Sequence, residues 1–475
     1  MVPLSLPPRK WASQGLLLIA PVILSSGLIA PPSAGGQNSP TSQPRALGSA
    51  DHHSALLAKE LVELQQGSAN LAEQATALEK AAAGLEAQAF AATTTLKGEA
   101  SFILGGVPGY GSKGAPNSKG GSHTTLNDEL RLNLYTSFSG KDLLRVRWGA
   151  GNFSSYPFGT STSNIFKLIH TENGNDQVFL DRLYYQFPIG KNDQYKVSIG
   201  ALIRNNEITW IPSVYRSDVL DYFSTGGGSG VYNKALGEGI GISWKQPVPA
   251  GKPALIANLN VIVSGSAVNS GSSSCSAGCN NGASGADSSY GIDNAGSGIN
   301  ALAQLGYQGE NWGLALGYRH GTTQTAVRSA NGVAGTPLAD GQQDNSVAIN
   351  AYWHPRHSGW IPSISTGFGY NLVNGSSTAP GPQSSRSWMV GIQWNSPWKT
   401  SDAAGVAIGQ PGNAAGATGS SPWLIEGFYR YQISNNLSLT PALFYGSGVS
   451  TSNANDGGQP IFNGLGGVIQ TTFSF

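Results

Sequence analysis

LNDELRLNLYTSFSGKDLLRVRWGAGNF, residues 126–153, is the stretch that decides the fold. On both sides of Ser-Gly-Lys-Asp at residues 139–142, apolar residues alternate one by one with polar or charged residues. Alternation with a period of two, over two runs joined by a Gly-containing turn, predicts an antiparallel β-hairpin. One face of the hairpin carries the leucines, and the other carries Arg131, Arg145 and Arg147.

Composition indicates which face of this hairpin meets water. In a soluble sandwich the apolar face packs inward, whereas in an outer-membrane barrel it meets lipid and the arginines line a wet lumen. Only 11% of the 475 residues are charged, against ~25% in ordinary soluble proteins. No internal apolar run reaches the ~18 residues of a membrane-spanning helix. Low charge without a long apolar block favours the barrel.

The same alternation recurs from residue 93 to residue 475, in runs such as LKGEASFIL and ALAQLGYQGENWGLALGYRHG. Aromatic residues lie near many strand ends, and short turns alternate with long polar loops such as 265–298, as in outer-membrane barrels. At ~10 residues per strand this length predicts an all-β transmembrane barrel of about 16 antiparallel strands. The last strand, ending at Phe475, is expected to close the barrel on the first strand near Leu96. Asp181 falls among apolar residues, which predicts a strand end or a subunit contact.

The N-terminal region predicts export. Arg9 and Lys10 precede an apolar run and then a small-residue stretch, so residues 1–34 are expected to be a signal peptide, with an uncleaved anchor as the alternative. Removing this segment takes away two basic and no acidic residues and leaves a net charge of −1. Nothing in this balance indicates a nucleic-acid partner.

Residues 35–50 are predicted to be a flexible tether, followed by a coiled-coil helix over residues 51–90. Its basis is a heptad repeat of leucines, which favours self-association because such a narrow apolar stripe suits a partner helix. A single amphipathic helix lying on another surface is the alternative, and the number of helices stays open. The leucines are Leu57, Leu64, Leu71, Leu78 and Leu85.

Three motifs contain residues of the types found in disulfides, metal sites and nucleotide-binding loops. Cys275 and Cys279 predict a local disulfide in an exported chain, because a thiolate metal site would need further ligands nearby. His354 and His357 fit a polar turn better than a metal site. Residues 109–114 have the spacing of a dinucleotide-binding loop, but the residues after them cannot begin a helix. No catalytic residue, metal or cofactor is therefore expected.

Several stretches resemble the cyanobacterial outer-membrane porins, relatives of the OprB-type carbohydrate-selective porins that are also labelled iron-uptake porins. They include FAATTTLKGEASF, RLNLYTSFSGKDLLRVRW, LDRLYYQFPIG, SWMVGIQW, GVAIGQP, PWLIEGFYRYQISNNLSLTP and VIQTTFSF. The resemblance implies a trimeric channel that passes small solutes and inorganic ions, including iron, by diffusion. Members usually carry a surface-layer-homology domain before the coiled coil. Only residues 35–50 occupy that position here, which puts peptidoglycan contact in doubt.

Seven basic residues fall on the predicted lumen face, where an arginine avoids the ~2–4 kcal/mol cost of facing lipid at the midplane. Our hypothesis is a modest anion preference where Arg131, Arg145 and Arg147 converge. The alternative is that these arginines pair with Glu99, Glu129 and similar acids and only brace the wall. The predicted channel-lining residues are Arg131, Arg145, Arg147, Arg182, Lys196, Arg204 and Arg319.

The sequence therefore predicts a porin in the outer membrane that catalyses no reaction. Small hydrophilic solutes and inorganic ions, with iron and sugars among the candidates, would diffuse through a water-filled lumen. The chain is expected to form a homotrimer through the coiled coil and the barrel walls, with the helix in the periplasm. One alternative is a structural protein that spaces the envelope and whose closed barrel is an anchor. A barrel hydrolase with a rim Ser/His/acid set is another.

Overall fold

The computed structural model describes residues 48–90, 93–108, 124–153, 157–159, 165–172, 175–265, 297–322, 325–327, 336–338, 341–357, 359–375, 384–414, 422–450 and 461–475. These residues form two compact units that divide between Ala89 and Phe90. The predicted signal peptide and most of the predicted tether lie outside the described residues.

The first unit is a single helix, α1, which spans Gly48–Phe90. It includes the whole predicted helix and begins three residues earlier. Three of the heptad leucines, Leu64, Leu71 and Leu78, are 68–74% exposed in the single chain. Pairing with other helices remains a prediction. In the described part of the chain no helix combines the length and the hydropathy needed to cross a membrane.

The second unit is a β-barrel. Sixteen of the eighteen strands in the described residues form one closed, antiparallel barrel, and β10 and β11 form a separate small hairpin. The strands are β1 Thr93–Gly106, β2 Thr125–Ser137, β3 Leu143–Gly151, β4 Phe179–Ile189, β5 Tyr195–Arg204, β6 Leu236–Lys245, β7 Ala254–Gly265, β8 Ser297–Gln308, β9 Trp312–Gly321, β10 Ala326–Val327, β11 Thr336–Pro337, β12 Gln343–Trp353, β13 Ser363–Asn374, β14 Ser384–Asn395, β15 Ala403–Ala414, β16 Trp423–Ser434, β17 Leu437–Ser450 and β18 Ile461–Ser474.

The barrel closes where β1 pairs with β18, with Ala100 opposite Phe473 in the register. The seam continues to the last residue: the Gly98 N–H donates to the Phe475 carbonyl at 2.7 Å, and the Phe475 N–H donates back at 3.0 Å. Closure leaves no strand edge unpaired within the wall. The prediction of a sixteen-stranded antiparallel barrel closed by the last strand is confirmed.

The polarity of the two faces of the barrel wall is the reverse of that in a soluble protein, because polar side chains point inward and apolar side chains point outward. On β13 the inward side chains Ser365 and Asn371 are almost fully buried, whereas Ile364 and Phe368 on the other face are each 43% exposed. An exposed apolar face with a buried polar face is the pattern of a barrel that meets lipid outside. The hairpin residues follow the same rule, since Arg131, Arg145 and Arg147 are buried inside.

The two ends of the barrel differ in the length of their connections. Turns such as residues 138–142 and 190–194 lie at one end, and long connections such as 205–235 lie at the other. Thr93 pairs with Ser137 next to a short turn, so the chain enters the barrel at the short-turn end. In outer-membrane barrels the short turns face the periplasm.

Asp142 organises the turn between β2 and β3. Its carboxylate accepts hydrogen bonds from the Ser139 backbone N–H at 2.7 Å, the Phe138 N–H at 3.0 Å, the Ser137 hydroxyl at 2.9 Å and the Tyr185 hydroxyl at 2.6 Å. Burial raises the pKa of Asp142, but these bonds, with Ser139 foremost, outweigh burial and hold the pKa well below its usual range. The ionised carboxylate therefore stabilises the turn.

Asp142→Asn is expected to lower the free energy of unfolding by about 1–3 kcal/mol, because several donors lose a charged acceptor. Urea unfolding of the protein in lipid vesicles measures the change. The matched control is Asp193→Asn, whose partner Lys141 lies 2.8 Å away in an exposed pair worth at most about 1 kcal/mol. Because the folded pKa of Asp142 is lowered, the difference from wild type should be full above about pH 4 and shrink as pH falls. Equal losses in both variants would contradict the role of Asp142.

The connection between β5 and β6, residues 205–235, folds into the barrel, and we call it the inward loop. It crosses the lumen and bonds to the inner face of the opposite wall. The Val214 N–H donates to the Ser365 hydroxyl at 2.9 Å, and the Leu220 N–H donates to Glu426 at 3.0 Å. The Tyr222 hydroxyl lies 2.7 Å from the carbonyl oxygens of both Trp388 and Gln410 and donates its single hydrogen to one of them at a time. The inward loop therefore fills much of the lumen.

A second connection, residues 165–172 between β3 and β4, packs beside the inward loop, and we call it the inner segment. Leu168 forms a β-bridge with Leu220 of the inward loop, and Phe166 packs on Phe444 of β17 with ring centroids 5.7 Å apart. All four side chains belong to one buried apolar cluster. The described barrel thus holds an apolar core of loop residues against its β14–β18 wall, away from the arginines.

Candidate functional site

An enclosed cavity of about 130 Å³ lies between the arginine-bearing wall and the two inner connections. Strands β2, β3 and β5 contribute to one side, and the inner segment and the inward loop supply the other. The lining contains both basic and acidic side chains, and the basic ones are more numerous. The charged lining residues are Arg131, Arg147, Lys167, Glu172, Arg204, Glu207, Arg216, Asp218, Asp221 and Lys234.

Neighbouring strands bring the predicted arginines together. Arg131 is on β2, Arg145 and Arg147 are on β3, and Arg182 on β4 lies directly opposite Arg147 in the register. Arg204 ends β5, the next strand of the wall. Side chains of one parity on adjacent strands share a face of the sheet. The period-two pattern therefore places these arginines in one cluster on the lumen wall.

Carboxylates from the wall and from both inner connections pair with these arginines. Arg131 lies 2.7 Å from Glu129 and 3.3 Å from Glu172 of the inner segment. Glu207 of the inward loop lies 3.1 Å from Arg145 and 2.9 Å from Arg182. The ion pairs therefore tie both inner connections to the wall. Sequence reasoning anticipated Glu129 but missed Glu172 and Glu207, since loop residues carry no periodic signal.

Asp181 differs from its prediction. It is the third residue of β4, near the start of the strand, but it does not face outward: its side chain is buried and forms ion pairs with Arg147 and, at 2.5 Å, with Arg182. The register shifts here, because Arg147 pairs with Arg182 but Trp148 pairs with Leu180. This bulge inserts Asp181 as an extra residue and turns two consecutive side chains toward the lumen. Parity alone could not predict that orientation.

Glu207 lies within 4.0 Å of three arginines, more than any other carboxylate of the cluster. Burial raises the pKa of its carboxyl, but Arg182, Arg145 and Arg147 outweigh burial and hold the pKa well below its usual range. The residue is held at the wall side of the inward loop by the short helical turn Asn205–Glu207. Glu207 is therefore ionised over the physiological range and offsets part of the arginine charge.

His170 of the inner segment adds a titratable group beside this cluster. Its Nδ1 lies 2.5 Å from Glu129 and 3.2 Å from Glu99. Burial lowers the pKa of the imidazole, but Glu129 and Glu99 outweigh burial and raise it above its usual value. Glu99 therefore contacts this histidine within the described residues, whereas the prediction paired it with an arginine.

Of the seven predicted lining residues, Arg131, Arg147 and Arg204 line the cavity. Arg145 and Arg182 belong to the adjoining ion-pair cluster, and the two others lie apart from the cavity. Arg319 on β9 is fully buried behind the inward loop, where its Nε donates to the Gly230 carbonyl at 2.5 Å and its Nη2 pairs with Asp344. Its position fits fastening of the loop rather than lining of a channel. Lys196 lies near the short-turn end of β5 with an exposed side chain.

The motifs weighed for chemistry lie elsewhere. His354 and His357 lie between β12 and β13, and the Nδ1 of His354 bonds the Pro355 carbonyl at 3.0 Å. Within the described residues no group of three or more His, Cys, Asp and Glu side chains is suited to a metal ion. Cys275, Cys279 and residues 109–114 lie outside the described residues, so the disulfide stays a prediction.

Comparison with known proteins identifies the family. A family model described as carbohydrate-selective porin, OprB family, matches residues 68–457. The chain belongs to the OprB family. OprB-family porins are channels, so the predictions of a porin fold and of a protein without enzymatic activity are confirmed. The family and the closed barrel together make this protein an outer-membrane channel for solutes.

Two curated relatives and one solved structure are similar to this OprB-family chain. It is 28% identical over 426 residues to the uncharacterized protein alr4550 of Nostoc sp., covering 81% of this chain and 66% of that protein. It is 26% identical over 418 residues to the uncharacterized protein sll0772 of Synechocystis sp., covering 81% and 70%. The chain thus spans about two thirds of each relative.

Pseudomonas putida OprB, in a structure determined at high pH, resembles the described barrel with a TM-score of 0.51. The likeness covers 82% of this chain and 96% of the Pseudomonas protein, at 10% sequence identity. At this identity it establishes the shared fold alone.

Proposed function

We propose that the protein conducts small hydrophilic solutes and inorganic ions by passive diffusion past the arginine-lined cavity. The observation that carries the proposal is that the wall charges and the two inner connections meet at one enclosed, polar space within the barrel. At about 130 Å³ this space is well below the roughly 300–1,000 Å³ of pockets for drug-sized ligands. Its size favours inorganic ions over sugars, and iron or sugar as cargo stays a prediction.

The anion preference predicted for Arg131, Arg145 and Arg147 is a separate part of the proposal. Each of these arginines forms an ion pair with at least one carboxylate. A paired arginine contributes little net field, so these pairs favour the alternative that the three residues brace the wall. We propose that any anion preference comes from cations in the cavity lining that lack a carboxylate partner.

We further propose a homotrimer with α1 in the periplasm. The exposed leucines of α1 support self-association, because an apolar stripe left in water favours burial against partner helices. Entry of the chain into the barrel at the short-turn end supports the periplasmic location. Contact with peptidoglycan forms no part of this proposal.

Single-channel recording of the refolded protein in a planar bilayer tests the function and the trimer together. A porin trimer should give stepwise openings that close in groups of three, with conductance that scales with salt concentration. A folded barrel that stays silent would favour the alternative of an envelope-spacing protein with a closed anchoring barrel. Openings that never group in threes would contradict the trimer alone.

A further inference from the structure

The side chain of Arg204 differs from those of the other arginines of the cluster because it has no ion-pair or hydrogen-bond partner among the described residues. Arg204 ends β5, lines the cavity and is partly buried, and its Nε is buried and unbonded. A buried N–H group without an acceptor costs free energy, which an anion bound from solution would offset.

The number of charged side chains around Arg204 also indicates that this arginine lacks a carboxylate partner. The four other arginines of the wall cluster form ion pairs with four carboxylates, which they share. Glu207 alone contacts three of these arginines, and Glu129 also contacts His170. Within the described residues the five arginines therefore outnumber these four carboxylates by one, and Arg204 is the arginine without an ion pair. The pairs are drawn from Arg131, Arg145, Arg147 and Arg182 with Glu129, Glu172, Asp181 and Glu207.

The inward loop adds a second guanidinium, that of Arg216, to the lining of the same cavity. Arg216 bonds the Tyr215 carbonyl at 2.8 Å through Nη1, which leaves other N–H groups of its guanidinium for a ligand. Planar guanidinium groups bind the oxygens of phosphate and sulfate in pairs.

We infer that this cavity is a binding site for a small inorganic oxyanion such as phosphate, held by Arg204 together with Arg216. Oxyanions would then be one class of solute for the proposed channel. Binding at this site does not depend on the proposed function, but an effect of the bound anion on the channel current does. A bound phosphate would balance the excess charge and would hold oxyanions in the permeation path longer than chloride. The volume of about 130 Å³ suits the free ion rather than a phosphorylated sugar.

Calorimetric titration of the full chain in detergent with inorganic phosphate, in a chloride-free buffer, tests the site. We expect saturable binding of one phosphate per chain, weakened at least tenfold in Arg204→Gln and only partly in Arg204→Lys, which keeps the charge but loses the planar fork. Arg356→Gln is the matched control, because it removes one cation from an exposed pair with Glu310 outside the cavity. It should leave the affinity unchanged.

The source of the ligand and the fold are checked in the same experiment. Glucose 6-phosphate should bind at least tenfold more weakly than phosphate, and equal binding would assign the site to the phosphate group of a larger solute. A thermal unfolding transition at the wild-type temperature shows that Arg204→Gln is folded. If this variant does not fold, Arg216→Gln takes its place. Absence of saturable binding by wild type, or equal affinities in wild type and the cavity variant, would overturn the inference. Calorimetry needs no conducting channel, so a silent barrel would refute the proposed function without deciding the site.

Discussion

Gly367→Leu should lower the single-channel conductance roughly twofold or more, because it pushes the inward loop off the β13 wall and toward the arginine-bearing wall opposite. Gly367 is on the lumen face of β13, and a Cβ added there would lie 2.0 Å from the Gly226 carbonyl oxygen and 2.3 Å from Nδ2 of Asn350. Asn350 also donates to that carbonyl, so the wall and the loop are in direct contact. Conductance depends on the open cross-section of the permeation path, which the displaced loop would narrow at the cavity.

The loop cannot make room by a small local adjustment at this point. Gly226 and Gly227 already have left-handed backbones, with φ of +61° and +79°, and a Cβ at Gly227 would meet the Gly367 carbonyl oxygen at 2.6 Å. Backbone lies against backbone without side chains between them, as only glycine permits. The leucine therefore has to move the whole segment from the wall.

The matched control is Phe368→Leu, one residue along the same strand. Phe368 points to the outer face and is 43% exposed, so its replacement should leave the conductance unchanged. Gly367→Ala provides a smaller insertion if the leucine variant does not fold. A folded Gly367→Leu protein with wild-type conductance would show that the inward loop does not limit the flow of ions.

Glu207→Gln should raise the permeability of anions relative to cations several-fold and lower the free energy of unfolding by about 3–5 kcal/mol. The substitution removes the carboxylate that lies 3.1 Å from Arg145, 2.9 Å from Arg182 and 4.0 Å from Arg147. The arginines would keep their charge in an enclosed space, where a cation raises the local anion concentration. Reversal potentials in a salt gradient and urea unfolding measure the two effects.

The pH dependence of Glu207 gives a second test. Because its folded pKa is lowered, its contribution to stability is full above the unfolded value of about 4.3 and is lost as pH falls through the folded pKa. Wild type and Glu207→Gln should therefore differ throughout pH 5–8 and converge only in strong acid. Glu310→Gln, in the exposed pair with Arg356, is the control and should match wild type. Identical reversal potentials in all three proteins would show that Glu207 does not set selectivity.

Much of the barrel could be predicted from the sequence, because the alternation of polar and apolar residues along a strand shows which side chains face the lumen and which face lipid. Leu130 and Arg131 are adjacent and face opposite sides, and the same rule repeats along the hairpin. Closure followed from the terminal run, whose residue Phe473 lies opposite Ala100. The arginine cluster was predictable for the same reason, since parity on neighbouring strands places side chains on one face.

The contents of the lumen could not be predicted in the same way. Several partners of residues 205–235 lie on strands β7 to β16, far along the chain, and no period in the sequence specifies them. A signal was nevertheless present: this connection is rich in apolar residues such as Trp210, Tyr222 and Phe223, unlike a solvated loop. Asp181 could not be placed because its bulge depends on the opposite strand.

The seam between β1 and β18 determines when the wall can form. Ser101 bonds Thr472 across a sequence separation of 371 residues, so β1, which also pairs with β2, finds its second neighbour only after β18 has been synthesised. Contacts this distant make folding slow, and until they form every lipid-facing side chain is exposed to water. Biogenesis therefore requires the unfolded chain to be kept from aggregating during its passage from ribosome to membrane.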